Sequence, residues 1–278
     1  EVRDLVIPGR SSPIAARLFQ PEGGPRGIVV YIHGGGWLAG TLEGSDALAR
    51  NLAQRSGCGV LLVDYRLAPE HPFPCGLEDV EDALVWASTA WTEAAGLPLV
   101  VAGDSAGANL ATVAAAALKE RVTLALQLLF YPATDTDPPT EVTSTLSGTD
   151  TDPETASYRE FAAGPRLTRS DMMWFLGHYA PAAMWRDPRI APLRSVDLRG
   201  CPPAWIATPA HHVLRGQGGA YARRLAAAGV AVQSRRYDGL AHGFARMMNI
   251  VDSADRALDD AAAAISARCL PGAGQPSA

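Results

Sequence analysis

Apolar runs of strand length alternate along this chain with alanine-rich stretches that have the spacing of helices. Several runs are apolar almost throughout, which is typical of parallel strands covered on both faces. The predicted strands are 27–33, 59–65, 97–103, 124–131, 204–208 and 230–237. The predicted helices are 78–90, 106–118 and 218–228. This alternation predicts an α/β fold in which a mostly parallel central sheet carries helices on both faces.

Residues 134–155 interrupt this pattern, because they are rich in Thr, Asp and Pro. The pentapeptide Thr-Asp-Thr-Asp-Pro occurs there twice, and we interpret the segment as a solvated loop rather than a calcium site. Thr168 and Asp171 then form a capping box that predicts the start of a helix. The Met and aromatic residues of that helix suit either core packing or the wall of an apolar pocket. We expect one domain over residues 1–278, with a cap segment inserted at about 134–190.

Composition narrows the class of protein. The chain has 278 residues, of which 47% are hydrophobic and 19% charged, so it can form a large core. Its net charge of -5 argues against a nucleic-acid partner, which normally requires a basic face. No apolar run reaches the roughly 18 residues of a membrane span, and the first residues do not resemble a secretory signal. The four cysteines form no C-x-x-C pair, so we predict reduced thiols and a cytoplasmic location.

The strongest local signal for chemistry is the sequence Gly-Asp-Ser-Ala-Gly at 103–107. It follows an apolar run and opens a predicted helix, which is the context of a nucleophile elbow. The glycines on either side of the serine permit a turn that is too tight for side chains. The alternative interpretation is a glycine-rich turn with an ordinary serine at a helix N-terminus. We identify Ser105 as the candidate nucleophile.

Two further motifs also follow predicted strands. The sequence His-Gly-Gly-Gly-Trp at 33–37 can point successive backbone N–H groups into a cavity. Together with the amide of Ala106, such donors would hold the oxyanion of an acyl-transfer intermediate. The sequence Gly-Leu-Ala-His-Gly-Phe at 239–244 follows the last predicted strand, where the general base of a Ser…acid…His order belongs. His242 is therefore the candidate base.

Together these motifs resemble those of the hormone-sensitive-lipase-like carboxylesterases, a family of the α/β-hydrolase fold. The stretch Asp-Tyr-Arg-Leu-Ala-Pro-Glu-His-Pro-Phe-Pro at 64–74 and the stretch Tyr-Ala-Arg-Arg-Leu at 221–225 match the same family. The resemblance implies a serine hydrolase of small, fairly apolar esters that needs no metal or organic cofactor. The residues that it implies are Ser105 as nucleophile, His242 as base, and Gly34, Gly35 and Ala106 as oxyanion donors. We further predict that Trp37 and the aromatic segment 172–179, which includes Trp174 and Phe175, contact the acyl or alcohol group of the substrate.

The resemblance has two gaps. The family carries helices of a cap before its first strand, whereas this chain begins at that strand, so we expect a reduced cap. The family's triad acid lies in a stretch similar to T-A-E-x-D-x-L-R-D-E-G, which here reads Thr-Pro-Ala-His-His-Val-Leu-Arg-Gly-Gln-Gly at 208–218. His212 occupies the acid's position, and the stretch has no carboxylate. We predict weak hydrolysis that rises with pH as His212 loses its proton.

Three alternatives remain open from the sequence. Asp135 follows a predicted strand and is an alternative acid, whereas Asp238 lies only four residues from His242 and is a poorer one. A zinc site at His211 and His212 is disfavoured, because adjacent residues of an extended segment point to opposite sides. The function is alternatively that of a dehydratase, cyclase or transacylase on the same scaffold, or that of a ligand-binding protein descended from an esterase. The oligomeric state, a homodimer included, stays open.

Overall fold

The computed structural model describes residues 1–136 and 157–269. Within them, eight strands form one sheet in the order β1-β2-β4-β3-β5-β6-β7-β8. The strands are β1 (Val2–Ile7), β2 (Ile14–Phe19), β3 (Ile28–Ile32), β4 (Gly59–Asp64), β5 (Leu99–Asp104), β6 (Leu126–Phe130), β7 (Ala204–Pro209) and β8 (Val232–Tyr237). β2 pairs antiparallel with both β1 and β4, and every other neighbouring pair is parallel.

Seven helices connect or follow these strands in the described part of the chain. They are α1 (Leu42–Ser56), α2 (Cys75–Ala87), α3 (Ala106–Ala117), α4 (Ser157–Glu160), α5 (Arg169–Tyr179), α6 (Arg215–Ala227) and α7 (Asp252–Arg268). A π-helical turn, Ser88–Glu93, extends α2, and short 3₁₀ turns lie at Ala182–Met184, Pro192–Arg194 and Phe244–Arg246.

The sheet separates two hydrophobic cores. Along β3, Ile28, Val30 and Ile32 face one core, and Val29 and Tyr31 face the other. Helices α2, α3 and α6 cover the first face, and α1 and α7 cover the second. Because both faces are covered, the inner parallel strands are apolar almost throughout and are recognisable in the sequence, whereas the edge strand β8 is largely polar and exposed. The predicted α/β architecture is confirmed.

All six predicted strands are present, with ends within two residues of the predicted ones, and the three predicted helices agree within three residues. Helices α1 and α7 were not predicted. Local signals for α1 exist, because Thr41 accepts a hydrogen bond from the amide of Gly44 at 3.0 Å and Gly57 ends the helix at φ 69°. The predicted capping box at the start of α5 is present, with both hydrogen bonds formed.

The carboxyl ends of the parallel strands lie at one edge of the sheet, and the candidate residues follow them. His33 comes after β3, Ser105 after β5, Tyr131 after β6, His212 after β7 and His242 after β8. Ligand sites of open α/β sheets lie at this edge. The described part of the connection from β6 to β7 contains α4 and α5.

The second copy of the repeated pentapeptide and the last two residues of the first copy lie outside the described residues. The calcium alternative depends on them and therefore also lies outside the described residues. In residues 1–136 and 157–269, no helix has the length and apolar character that crossing a membrane requires. Those residues also contain no group of three His, Cys, Asp or Glu side chains arranged to hold a metal ion.

Candidate active site

Ser105 lies in a strained turn between β5 and α3. Its backbone has φ 57° and ψ -118°, a conformation that side-chain-bearing residues rarely adopt. The turn needs glycine on both sides: a Cβ on Gly103 would lie 2.6 Å from the backbone of Gly107, and one on Gly107 would lie 2.1 Å from the carbonyl oxygen of Ile32. The Ser105 side chain makes no capping hydrogen bond to α3. The geometry is that of a nucleophile elbow rather than of an ordinary helix start.

The residue before the serine organises the loop after β3. The buried carboxylate of Asp104 accepts hydrogen bonds from the hydroxyl of Tyr31 at 3.0 Å and from the amide of Gly34 at 2.8 Å. Nη2 of Arg246 lies 3.4 Å from the same carboxylate and donates to the carbonyl oxygen of Gly34 at 3.2 Å. Asp104 therefore ties the elbow, the glycine loop and the loop after β8 together. Sequence reasoning missed this role, because nothing local to Arg246 or Tyr31 signals a shared partner.

The prediction of Gly34 as an oxyanion donor is corrected by this arrangement. The N–H of Gly34 is committed to Asp104, so Gly34 cannot also donate to an oxyanion. In the described hydrogen bonds, the amides of Gly35 and Gly36 have no acceptor. Gly35 is at φ 139° and Gly36 at φ 63°, conformations that turn the loop sharply after β3. The available donors of this loop are therefore Gly35 and Gly36.

His242 and His212 form a hydrogen-bonded pair. Nδ1 of His242 lies 2.6 Å from Nε2 of His212, and the two rings are nearly parallel with centroids 4.6 Å apart. His212 is only 1% exposed, so a charge on it would be largely desolvated. The ring of Tyr131 packs against His242 with centroids 4.9 Å apart. The structure thus places His212 where a triad acid would contact the base.

The pair lacks the feature by which a carboxylate selects one tautomer. If Nδ1–H of His242 donates, its Nε2 is free to accept a proton, and His212 then carries its own proton on Nδ1. That Nδ1 is buried and has no hydrogen-bond partner among the described residues. An unpaired buried polar atom costs about 1–3 kcal/mol, and Nδ1 of His212 is unpaired as a donor here and as an acceptor in the opposite arrangement, so this cost does not select between the two. In the opposite arrangement His212 donates from Nε2, and the proton of His242 then occupies Nε2.

Both imidazoles are held neutral. Burial lowers the pKa of His212 well below its usual value, and the charge of His242 acts in the same direction. Burial also lowers the pKa of His242 to about 4, an effect that Asp104 opposes and that Arg166 and Arg246 strengthen. Neither ring therefore carries a positive charge near neutral pH, and the proton loss of His212, on which the predicted rise of activity with pH depends, belongs to acid conditions.

Ser105 contacts the last residue of β6, and His242 contacts the residue that follows it. The amide of Ser105 donates to the carbonyl oxygen of Phe130 at 2.9 Å, and Tyr131 packs on His242. The described hydrogen bonds include none between Ser105 and His242. In hydrolases without substrate this contact is often long, and it tightens when substrate binds.

Comparison with known proteins assigns the chain to a family. Residues 29–246 match the family model described as alpha/beta hydrolase fold. The chain belongs to this family. The predicted fold and the resemblance to hormone-sensitive-lipase-like carboxylesterases are both confirmed.

Individual relatives of this α/β hydrolase are esterases. Carboxylic ester hydrolase LipN of Mycobacterium tuberculosis is 38% identical over 266 residues, which are 90% of this chain but only 66% of LipN. Ethyl acetate hydrolase of Pseudomonas putida is 35% identical over 269 residues, which are 92% of this chain and 80% of that protein. An esterase of Pyrobaculum calidifontis superposes with a TM-score of 0.84 at 38% identity and covers 96% of this chain and 85% of its own.

Asp135, the alternative triad acid of this α/β hydrolase, forms hydrogen bonds with residues other than His242. Its carboxylate accepts a hydrogen bond from Nε of Arg194 at 2.8 Å, and its amide donates to the side chain of Gln217 at 3.1 Å. The Nδ1 atom of His242, which a triad acid must contact, faces His212 instead. The geometry therefore favours His212 over Asp135.

The three predicted substrate contacts have different surroundings. Trp37 is 2% exposed, stacks on Tyr179 with centroids 4.7 Å apart and donates from Nε1 to Asn109 at 3.3 Å. Its predicted contact with substrate is corrected, because this side chain belongs to the core. Trp174 is 56% exposed, and the ring of Phe175 lies so close to Gly36 that a Cβ there would be 2.3 Å from it. Phe175 therefore borders the glycine loop, and Trp174 packs against Phe175 with ring centroids 5.3 Å apart.

Proposed function

We propose that this chain is a serine carboxylester hydrolase that acts on small esters with an apolar reacting end. The observation that carries the proposal is the strained Ser105 elbow, joined through Asp104 to a glycine loop with two amides free to donate. The loop of His242 contacts the same carboxylate through Arg246. The esterase relatives support the reaction class, and one of them, an ethyl acetate hydrolase, supports a small substrate.

The mechanism uses two acyl-transfer steps. Oγ of Ser105 attacks the ester carbonyl while Nε2 of His242 takes the hydroxyl proton and then gives it to the leaving alcohol. Water, activated by the same imidazole, hydrolyses the acyl-enzyme. The amides of Gly35, Gly36 and Ala106 hold the oxyanion of both intermediates. A donor of this kind contributes roughly 3–4 kcal/mol to transition-state stabilisation.

His212 acts as a weak substitute for the triad acid. As a neutral acceptor it orients the ring of His242, but it offers no negative charge to the imidazolium that forms during attack. It also permits the unproductive tautomer described above. Loss of the acid in a triad lowers turnover by about 10⁴-fold, or about 5.5 kcal/mol, so we propose that hydrolysis is impaired on this scale.

Substrate contacts are proposed for Phe175, which lies beside the glycine loop, and for Trp174, which packs against Phe175. The ring of Phe175 lies over Gly36, next to the amides that would hold the oxyanion, and Trp174 extends from it into solvent. An apolar acyl or alcohol group would bury surface against these rings at about 25 cal/mol per Å². We also propose a reducing, cytoplasmic environment, which is supported by the free thiols of Cys58, Cys75, Cys201 and Cys269.

The decisive experiment is covalent trapping of the serine. A fluorophosphonate probe should label the parent protein on Ser105 and should fail to label Ser105→Ala, while p-nitrophenyl acetate is hydrolysed slowly by the parent alone. If the probe leaves a correctly folded parent untouched and no ester is turned over, the esterase proposal is wrong. A dehydratase, cyclase or binding protein would then be the better interpretation.

A second experiment separates the two candidate acids. Because Nδ1 of His242 contacts His212, we expect Asp135→Asn to retain most of the parent's turnover. Loss of activity in Asp135→Asn, with Arg194→Met unaffected as a control for the broken ion pair, would assign the acid to Asp135 instead.

A further inference from the structure

An arginine of the cap connection lies beside the loop of the candidate base. A Cβ placed on Gly243 would be 3.7 Å from Nη2 of Arg166 and 4.0 Å from its Nε. The positive charge of Arg166 acts to lower the pKa of His242 and that of Tyr131. Arg166 is itself an exposed residue. Its guanidinium therefore lies at the solvent side of the catalytic residues.

The backbone holds this arginine in a tight, strained turn. Arg166 has φ 69°, and the amide of Leu167 donates to the carbonyl oxygen of Pro165 at 2.9 Å across it. This is a γ-turn with positive φ, a rare and strained conformation for a residue with a side chain. Leu167 is buried, and Thr168 caps α5 directly afterwards, so both anchor the turn on one side. The strain is retained where a flexible loop would have released it.

The charge of Arg166 is not neutralised in the described structure. Arg246, the other arginine near the base, is paired with Asp104. For Arg166, no carboxylate within residues 1–136 or 157–269 forms an ion pair. The site has also lost the negative charge of a triad acid, because His212 is neutral. The region around the reacting atoms therefore has an excess of positive charge, although the whole chain is negative.

We propose that Arg166 recognises a carboxylate on the substrate, at the end remote from the ester that reacts. This inference rests on the proposed esterase function and specifies its substrate class. A guanidinium binds carboxylate through two parallel hydrogen bonds and keeps its charge at every working pH. The substrate class is that of monoesters of short dicarboxylic acids, or of acyl esters of short hydroxy acids. The apolar segment between the two ends would lie along Phe175.

The test compares acidic and neutral esters of equal length. Monoethyl succinate, glutarate and adipate are paired with ethyl butanoate, pentanoate and hexanoate, and a series of acetoxy acids places the carboxylate on the alcohol side. We expect kcat/KM of the best acidic ester to exceed that of its neutral partner, and Arg166→Gln to lower this acidic-to-neutral ratio about tenfold. The loss should fall mainly on KM, and Arg166→Lys should restore part of the ratio.

Arg169→Gln is the matched control, because Arg169 is an exposed arginine three residues away that has no effect on His242. Its ratio should equal that of the parent. The assays are run near pH 8, where the base is neutral with or without Arg166. The inference is overturned if neutral esters are hydrolysed and no acidic ester of either series is preferred, or if Arg166→Gln keeps the parent's ratio.

Calorimetry with Ser105→Ala protein tests recognition independently of turnover. Monoethyl glutarate should bind this protein more tightly than ethyl pentanoate does, and the difference should disappear in the Ser105→Ala, Arg166→Gln double variant. If no ester is turned over but this difference is found, the proposed function fails and carboxylate recognition stands. Equal binding of the two ligands refutes the recognition itself.

Discussion

Restoring a carboxylate beside His242 should increase esterase activity strongly. In His212→Asp or His212→Glu, the new side chain can only accept a hydrogen bond from Nδ1 of His242, so Nε2 of His242 is always free to take the serine proton. The negative charge also stabilises the imidazolium. Glu is tested together with Asp, because it has the longer reach and Nε2 of His212 already contacts His242 at 2.6 Å.

The new carboxylate affects the rate and the stability separately. A triad acid contributes about 5.5 kcal/mol, the equivalent of about 10⁴-fold in turnover. The second oxygen of the new carboxylate, however, would enter the region where Nδ1 of His212 finds no partner. An unpaired buried polar atom costs about 1–3 kcal/mol. This cost is the same in the free enzyme and in the transition state, so it lowers the free energy of unfolding and leaves the rate unchanged. The triad contribution therefore predicts a rise of up to about 10⁴-fold in kcat/KM.

The assay is hydrolysis of p-nitrophenyl acetate near pH 8, with folding checked by circular dichroism and Tm. His211→Asp is the control, because it adds the same charge one residue away on an exposed position. We expect it to leave the rate close to the parent's. If both variants at position 212 fold normally and remain within threefold of the parent, the assignment of His212 to the acid's position is wrong.

Four further outcomes can be measured directly. Because the pKa of His242 is about 4, kcat/KM should be level from about pH 6 to 8 and should fall only in acid; a midpoint near pH 6.5 would contradict this. Both His212 and His242 are neutral in the folded protein, so below about pH 6.5 the unfolded chain binds more protons than the folded chain does. The free energy of unfolding, measured in urea, should therefore be smaller at about pH 5.5 than at about pH 7.5. Arg246→Met should raise the pKa of His242, since it removes a positive charge and leaves Asp104 unopposed, and a pH–rate profile whose acid limb did not move upward would refute this. Gly107→Ala should cost about 1–3 kcal/mol of stability or more and abolish activity, because its Cβ would clash with a carbonyl oxygen of β3; an unchanged Tm would show that the turn can relax.

The local features of the site were predictable from the sequence because their causes are local. An apolar run followed by Gly-Asp-Ser-Ala-Gly specifies a strand, a tight turn and a helix, and the structure has them at β5, Ser105 and α3. The position of His212 was predicted from the register of residues 208–218. The hydrogen bond to His242 that this position suggested is present.

The wrong assignments have a common cause. Gly34 was predicted as an oxyanion donor and Trp37 as a substrate contact because both occur in the right motif. Their actual partners are Asp104, 70 residues away, and Asn109, 72 residues away. An N–H group can serve only one strong acceptor, and which acceptor reaches it depends on how β3 and β5 are paired in the sheet.

The sequence by itself therefore determined the periodicity of the strands, the elbow and the types of the reacting groups. Backbone sterics and the alternation of apolar residues act over a few positions, so the structures that they produce can be predicted from the sequence. The tertiary structure alone decided which amides stay free, which charges are neutralised and how far burial lowers the pKa of each histidine. Those properties depend on groups that only folding brings within a few ångströms, as it does for Arg166 and the loop of His242.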